Sequence, residues 1–319
     1  MKPEPIPLQE IRAARERLAG IAFRTPLVRL NVEDAPAEIW LKLENLQPIG
    51  SFKLRGAGNA MLRADRRELE RGVWTASAGN MAQGVAWTAR RLGVPCRVVV
   101  PEQAPETKLE AIARFGAEIV KVPYDTWWQI ILTGECAEMQ GLLVHPVADA
   151  AVMAGNGTIG IEILEDLPDV DAVIAPFGGG GLSCGIASAL RALAPAAQVF
   201  ACEVETAAPL AAALAAGEPR PIDHTPSFVD GIGGKSLLPQ MWPLAHRLLA
   251  GSIVVSLAEV AAAIRLLVER NRVVAEGAGA SSVAAAQSGK AGRGKVVCVV
   301  SGGNIDTKTL SAILDGRLP

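Results

Sequence analysis

The chain has 319 residues, half of them hydrophobic and a fifth charged, with 31 basic against 33 acidic side chains. That is enough to bury a large core, as two domains or one large α/β unit, and it matches neither a disordered chain nor a strongly basic nucleic-acid binder. No apolar run approaches the roughly 20 residues needed to cross a bilayer, and the opening MKPEPIPLQE is not a basic leader followed by an apolar segment, so a cytoplasmic protein is expected.

In chain order, the apolar spacing predicts a helix over 8–19 and a strand over 38–44, then one helix over 54–69 entered through a glycine-bearing turn. Gly56 and Gly58 either weaken that helix or mark close packing near its start. A short strand in "GVWTASAGN" leads to a helix over 81–92, a strand at 95–102, a helix over 107–116 and a strand at 117–123. The second half continues with a helix around 157–166, a strand at 170–177, a helix after Gly181, and a strand at 197–204. Alanine-rich helices follow at 207–216, 260–270 and 278–287, and the last strand and turn occupy 294–304.

Strands alternating with helices of about ten residues are the pattern of a parallel α/β sheet. A second domain would be a compact α/β lobe at 66–146 set into a larger one formed by 1–65 and 147–319. Five single cysteines, Cys96, Cys136, Cys184, Cys202 and Cys298, show no CxxC spacing, which argues for a reducing compartment and against a four-cysteine zinc centre. Cys184 and Cys298 read as small packing residues. His145, His224 and His246 are too dispersed to form a metal motif.

Three turns carry candidate chemistry. In "APFGGGGLSCG", Gly178, Gly179, Gly180 and Gly181 follow an apolar strand and open a helix, so their N–H groups can surround an anion at a helix terminus. A tight connection without a ligand is the alternative; neither a dinucleotide fingerprint nor a P-loop fits. The turn "TASAGNMAQG" offers Ser77, Asn80 and Gln83 at a helix mouth, either for a ligand or simply as caps. Ser301 in "VVSGGNIDT" follows a very apolar strand, at the carboxyl edge where ligands gather on parallel sheets.

Lys53, between Phe52 and Leu54, is either a snorkelling surface lysine or an amine with a lowered pKa able to form a Schiff base. Beside a phosphate loop, such an amine makes pyridoxal 5'-phosphate attractive, because that cofactor needs both an aldehyde partner and an anion seat.

The segments "ENLQPIGSFKLRGA", "SAGNMAQG", "PFGGGGL", "AEGAGA" and "SGGNID" occur in the order seen in the threonine and serine dehydratase branch of the fold-type-II pyridoxal-phosphate enzymes. The chain resembles that family from its first helix to its last strand. The resemblance implies a two-domain α/β fold of open twisted sheets flanked by helices, with the 66–146 lobe mobile, and a homodimer. It implies Lys53 as the Schiff-base lysine, Phe52 beside the pyridine ring and Asn80 near the cofactor's 3-hydroxyl. Gly178 to Gly181 would surround the phosphate, and Ser301 would face the pyridine nitrogen.

Ser77, Ala78, Gly79 and Asn80 match the family's loop for the substrate carboxylate. Its racemases commonly carry a serine where this chain has Ala78, which favours a dehydratase here. Met81 stands where a histidine is common, and Trp127 and Trp128 in "YDTWW" either pack or wall the pocket. Asp230 and Glu276 match turns near the site. Glu203 matches a usual cation ligand and Ala207 could add its carbonyl, but Pro209 falls where magnesium-binding relatives tend to have an acid, so a magnesium or calcium site is doubted and a weak alkali-metal site left open.

The activity implied is α,β-elimination from a threonine-like or serine-like β-hydroxy L-amino acid, giving a 2-oxo acid and ammonia. Alternatives are a bulkier substrate such as β-phenylserine, 3-hydroxyaspartate or a hydroxyectoine-derived amino acid, a racemase, and a non-catalytic small-anion sensor. The partner expected is a small molecule, with no nucleic acid and no membrane.

Overall fold

A computed structural model describes residues 4–319 of the chain. Ten strands run in chain order: β1 Leu27–Arg29, β2 Glu38–Lys42, β3 Val73–Ala76, β4 Cys96–Pro101, β5 Glu118–Val122, β6 Leu142–Leu143, β7 Ala172–Pro176, β8 Gln198–Val204, β9 Gly251–Val255 and β10 Lys295–Val299. They form a six-stranded sheet in the order β1-β2-β10-β7-β8-β9 and a four-stranded sheet in the order β5-β4-β3-β6. Every pairing is parallel except β1 with β2. The expected α/β fold of helix-flanked parallel sheets is therefore present.

Side-chain type accounts for strand position. The central β7 (AVIAP) is buried throughout, as the apolar run of a strand covered on both faces should be. The edge strand β5 (EIVKV) has no buried residue. The strands of the smaller sheet all fall between residues 73 and 143.

The helix Lys53–Arg63 packs on Asn80–Leu92 and on Ala150–Asp166. A Cβ on Gly56 would stand 2.7 Å from Val152 Cγ1, and one on Gly155 only 2.2 Å from the Arg55 carbonyl oxygen. Of the two roles open to Gly56, close packing is the one realised.

Several element boundaries differ from expectation, each for a local reason. The helix predicted over 54–69 breaks at Ala64, and Asp65 starts a new one, Arg66–Glu70, by accepting from the Arg67 N–H. The helix expected around 157–166 begins at Ala150, capped by Asp149; Gly155, Gly157 and Gly160 disguise it in sequence because their missing side chains serve helix contact. The stretch at 260–270 contains the end of an α-helix, Leu257–Leu266, followed by a π-turn, Leu267–Asn271, which closes on Arg272 at φ 59°. The last strand and turn fall where expected, the strand ending at Val299, whereas β1, β6 and β9 were not anticipated.

Beneath the lysine-bearing helix lies a buried ion cluster that the sequence did not announce. Arg55 donates to both Glu44 and Glu162, and Lys42 Nζ donates to Glu162 and to the Thr25 carbonyl. Two cations meet two carboxylates, so the cluster is neutral, and every member is hydrogen-bonded, as buried charges require. It ties strand β2 and the helix Ala150–Asp166 to Arg55, two residues beyond Lys53.

Candidate active site

The carboxyl ends of β3, β7 and β10 deliver three turns to one cavity of about 400 Å³. Lys53, Phe52, Gly178 to Gly181 and Ser301 all line it, as do Ser77, Ala78, Gly79, Asn80 and Met81. Asp230, Glu276, Trp127 and Trp128 also reach its wall, so the alternative of wholly core tryptophans is set aside. Gln83 does not take part: it is buried behind the turn, where its side-chain oxygen accepts from Arg114.

Lys53 is the first residue of its helix, and its Nζ donates to the Pro146 carbonyl at 3.0 Å. Burial lowers its pKa to about 8, with the Glu276 charge pulling it back up in part. The amine is 5.1 Å from the Phe52 ring centroid. This is no ordinary surface lysine: burial brings its neutral form within reach well below the usual lysine range.

The glycine loop opens the helix Gly181–Leu193 through Gly180 at φ 96°, a left-handed conformation that favours glycine. Among the described residues, the N–H groups of Gly178 to Gly181 make no hydrogen bond, although buried backbone donors are nearly always paired. Four free donors at a helix N-terminus fit an anion such as a phosphate, rather than a connection without a ligand. Side chains could not replace the hydrogens: a Cβ on Gly179 would stand 2.6 Å from Val147 Cγ1.

The turn at 77–81 leaves its donors open in the same way. Gly79 caps the helix Asn80–Leu92 without a side-chain bond, so neither serine nor asparagine serves as the expected cap. Ser77 Oγ accepts from the Gly79 N–H at 3.2 Å, and the Asn80 and Met81 N–H groups remain unpaired. Asn80 turns inward instead, donating to Glu276 Oε1 at 2.8 Å and accepting from Asn304 at 2.7 Å.

Glu276 has its pKa raised to about 7 by burial first and the nearby Asp230 charge second, against the Asn80 hydrogen bond and the Lys108 charge. Asp230 is paired with Lys108 at 2.6 Å, across the cavity mouth. Ser301 is only 2% exposed, and its hydroxyl carries no hydrogen bond although it faces the cavity. An uncharged donor is thus available to whatever ring sits between it and Phe52.

Sequence reasoning missed the segment His145–Pro146–Val147. His145 accepts from the Val147 and Ala148 N–H groups through Nδ1 and donates through Nε2 to the Ile131 carbonyl, so burial holds it neutral, below its usual pKa. The fixed turn presents the Pro146 carbonyl to Lys53 and lays Val147 over the glycine loop. Nothing in the residue types "HPV" signals this, because the work is done by a backbone carbonyl and one apolar contact.

Glu203 is not at the cavity. Its carboxylate accepts from the Leu210 and Ala211 N–H groups and from Ser252, which makes it the anchor of the helix Pro209–Ala216. Pro209 is the first residue of that helix, a position suited to a residue without an N–H. Among the described residues no group of three or more His, Cys, Asp or Glu could hold a metal ion. Cys184 and Cys298 are fully buried, and burial pushes the Cys184 thiol up to about 12, in keeping with packing rather than reactivity.

A lysine amine of lowered pKa, a row of unpaired loop amides and a neutral hydroxyl line one cavity and make the donor set for a phosphorylated aldehyde cofactor. Comparison with known proteins agrees with this geometry. Residues 18–302 match the pyridoxal-phosphate dependent enzyme family, and the chain belongs to that family.

Its sequence is 39% identical over 316 residues to the L-threonine dehydratase catabolic TdcB of Escherichia coli, covering 97% of this chain and 96% of the relative. It is 39% identical over 319 residues to the L-threonine ammonia-lyase of Thermotoga maritima, covering 98% and 79%. The fold is similar to maize serine racemase, at 31% identity and TM-score 0.85, over 98% of both chains. Membership in an enzyme family sets aside the small-anion sensor.

Proposed function

We propose that the protein converts a β-hydroxy L-amino acid to a 2-oxo acid and ammonia by α,β-elimination. The observation that carries this reading is the Lys53 amine, with its pKa lowered to about 8, in one cavity with the unpaired Gly178 to Gly181 amides. The relatives named as threonine dehydratase and ammonia-lyase support the reaction class.

Pyridoxal phosphate, when bound, supplies the electron sink that makes the substrate's Cα proton removable. In this reading Gly178 to Gly181 hold its phosphate and Lys53 its aldehyde carbon. Asn80, fixed by Glu276 and Asn304, meets the 3-hydroxyl, and Ser301 donates to the ring nitrogen. A serine there would leave that nitrogen uncharged and make the bound cofactor a weaker electron sink, which would suit elimination of the β-hydroxyl. The amides of Asn80 and Met81 receive the substrate carboxylate.

Lys53, released as substrate takes its place, removes the Cα proton as general base, an effect worth typically about 10²- to 10⁴-fold. The β-hydroxyl leaves as water, and the resulting enamine becomes an imine that water hydrolyses to 2-oxo acid and ammonia. In this reading, residues 66–146 form a lobe that closes over bound substrate and excludes water. The Lys108–Asp230 pair, which joins that segment to the 228–234 turn, supports closure. Solution scattering with and without a substrate analogue tests it, an unchanged radius of gyration counting against it. A homodimer completes the proposal, and sedimentation at micromolar concentration tests it.

The reaction itself is tested by supplying L-threonine and L-serine and assaying 2-oxo acid with ammonia, and then repeating with Lys53→Ala. A second reading, racemisation, draws on fold neighbours solved as serine and aspartate racemases. Ala78 argues against it, because a methyl group on that loop cannot return a proton to Cα.

A further inference from the structure

Beyond the groups used above, the cavity wall carries an aromatic face and an unpaired cation that threonine would leave idle. Tyr124, Trp127 and Trp128 lie on one face of the helix Tyr124–Thr133, with ring centroids 5.8 Å and 6.4 Å apart, and all three line the cavity. Trp127 Nε1 is buried without any hydrogen-bond acceptor. That nitrogen has no exposed surface, so Trp127 offers the cavity its ring and not its N–H.

A cation lies over one ring of this face. Lys235 Nζ is 5.4 Å from the Tyr124 ring centroid and forms no ion pair among the described residues. Lys108, the other lysine at the mouth, is already neutralised by Asp230. Met81, which also lines the cavity, is buried and apolar. The lining therefore combines the reacting amine, three aromatic rings tilted 41° and 38° to one another, and a lysine with no carboxylate partner among the described residues.

Threonine places a single methyl group beyond its hydroxyl-bearing carbon. It carries no apolar body for the three rings and no anion for Lys235. We infer that the preferred substrate is a β-hydroxy amino acid whose side chain has a bulky apolar body and ends in an anionic group. The body packs against the tilted rings of Tyr124, Trp127 and Trp128, and the terminal anion meets Lys235. The inference rests on the elimination reading and adds a substrate class to it.

The probes are 3-(4-carboxyphenyl)serine, β-phenylserine and threonine as substrates, and 4-carboxyphenylalanine, which lacks a leaving group, as a binding ligand read by tryptophan fluorescence. Expected is a kcat/KM for the carboxylated substrate about ten-fold above both others. Lys235→Met should cut its advantage over β-phenylserine about five-fold, the size of one partly exposed charge contact. Trp127→Leu, which removes a ring from the wall, should weaken 4-carboxyphenylalanine binding.

Threonine preferred over both aryl substrates, or an advantage that Lys235→Met does not move, would overturn the inference while leaving elimination intact. The converse is also readable. No 2-oxo acid from any substrate, together with Lys235-dependent binding of 4-carboxyphenylalanine, would overturn elimination and leave the charge-selective wall standing. Absence of both turnover and binding overturns both.

Discussion

The Lys53 amine donates to the Pro146 carbonyl at 3.0 Å, so the reactive nitrogen is held by a backbone atom 93 residues away rather than by an acid. A carboxylate in that place would fix the charge on the amine; a carbonyl orients it and lets burial lower its pKa to about 8.

Cofactor uptake should report that value. Only the neutral amine attacks an aldehyde, so the rate at which apo protein takes up pyridoxal phosphate should rise about ten-fold per pH unit below 8 and level off above it. Stopped-flow absorbance from pH 6 to 10 measures this. A rate still climbing through pH 10 would indicate an ordinary exposed lysine.

Glu276 gives a second pH signature, on stability. Its pKa is raised to about 7 in the fold from an ordinary value of 4.5, so the unfolded chain gives up this proton at lower pH than the folded protein does. The group's contribution is fully present below 4.5 and is lost as pH rises to about 7. Lys53 is lowered from 10.5 to about 8, so its own linkage acts in a separate window, where stability increases as pH rises from about 8 to 10.5. Urea unfolding of apo Glu276→Gln should therefore match wild type at pH 4.5 and exceed it at pH 7.5; equal midpoints at both would contradict the raised pKa.

Ala78 separates elimination from racemisation. Ala78→Ser would place a hydroxyl on the cavity wall, where it can exchange a proton with Cα from the side away from Lys53. The expected outcome is D-serine from L-serine at a rate at least ten times that of wild type, followed by chiral chromatography. No D-serine from the variant would mean that residue 78 does not face Cα.

The ion cluster under the lysine-bearing helix should govern stability. Arg55→Met strands Glu44 and Glu162 in the core with only Lys42 to balance them, a change expected to cost about 3–5 kcal/mol in urea unfolding. Glu44 is held below its usual pKa by the Arg55 charge and hydrogen bonds despite burial, so its share of stability is present above pH 4.5 and lost as pH falls below it. A loss under 1 kcal/mol would show that the cluster only replaces equally good apolar packing.

Seven of the ten strands were legible because runs such as "AVIAP" and "KVVCV" admit few alternatives when both faces are covered, whereas β1, β6 and β9 were missed, the first two having only three and two residues. The glycine loop and Ser301 stood out because each follows the end of such a strand, whereas Lys53, which opens a helix well past β2, was ambiguous from its neighbours and was picked out by the family resemblance. The helix from Ala150 was obscured by glycines that sequence propensity counts against helices and that packing on Arg55 and Gly185 requires. Arg55, Glu44, Glu162 and Lys42 looked like ordinary charges because their partners lie as many as 120 residues away. The Pro146 carbonyl was invisible for a plainer reason: every residue has one.

Modification of Lys53 is the most direct test of the account. Purified protein given pyridoxal phosphate, reduced with borohydride and digested should yield one phosphopyridoxyl adduct, on the peptide containing Lys53, and pre-incubation with a β-hydroxy amino acid substrate should lower its yield while 2-oxo acid accumulates. An adduct on another lysine, or undiminished 2-oxo acid production by Lys53→Ala, would contradict the assignment of Lys53 as the reactive amine.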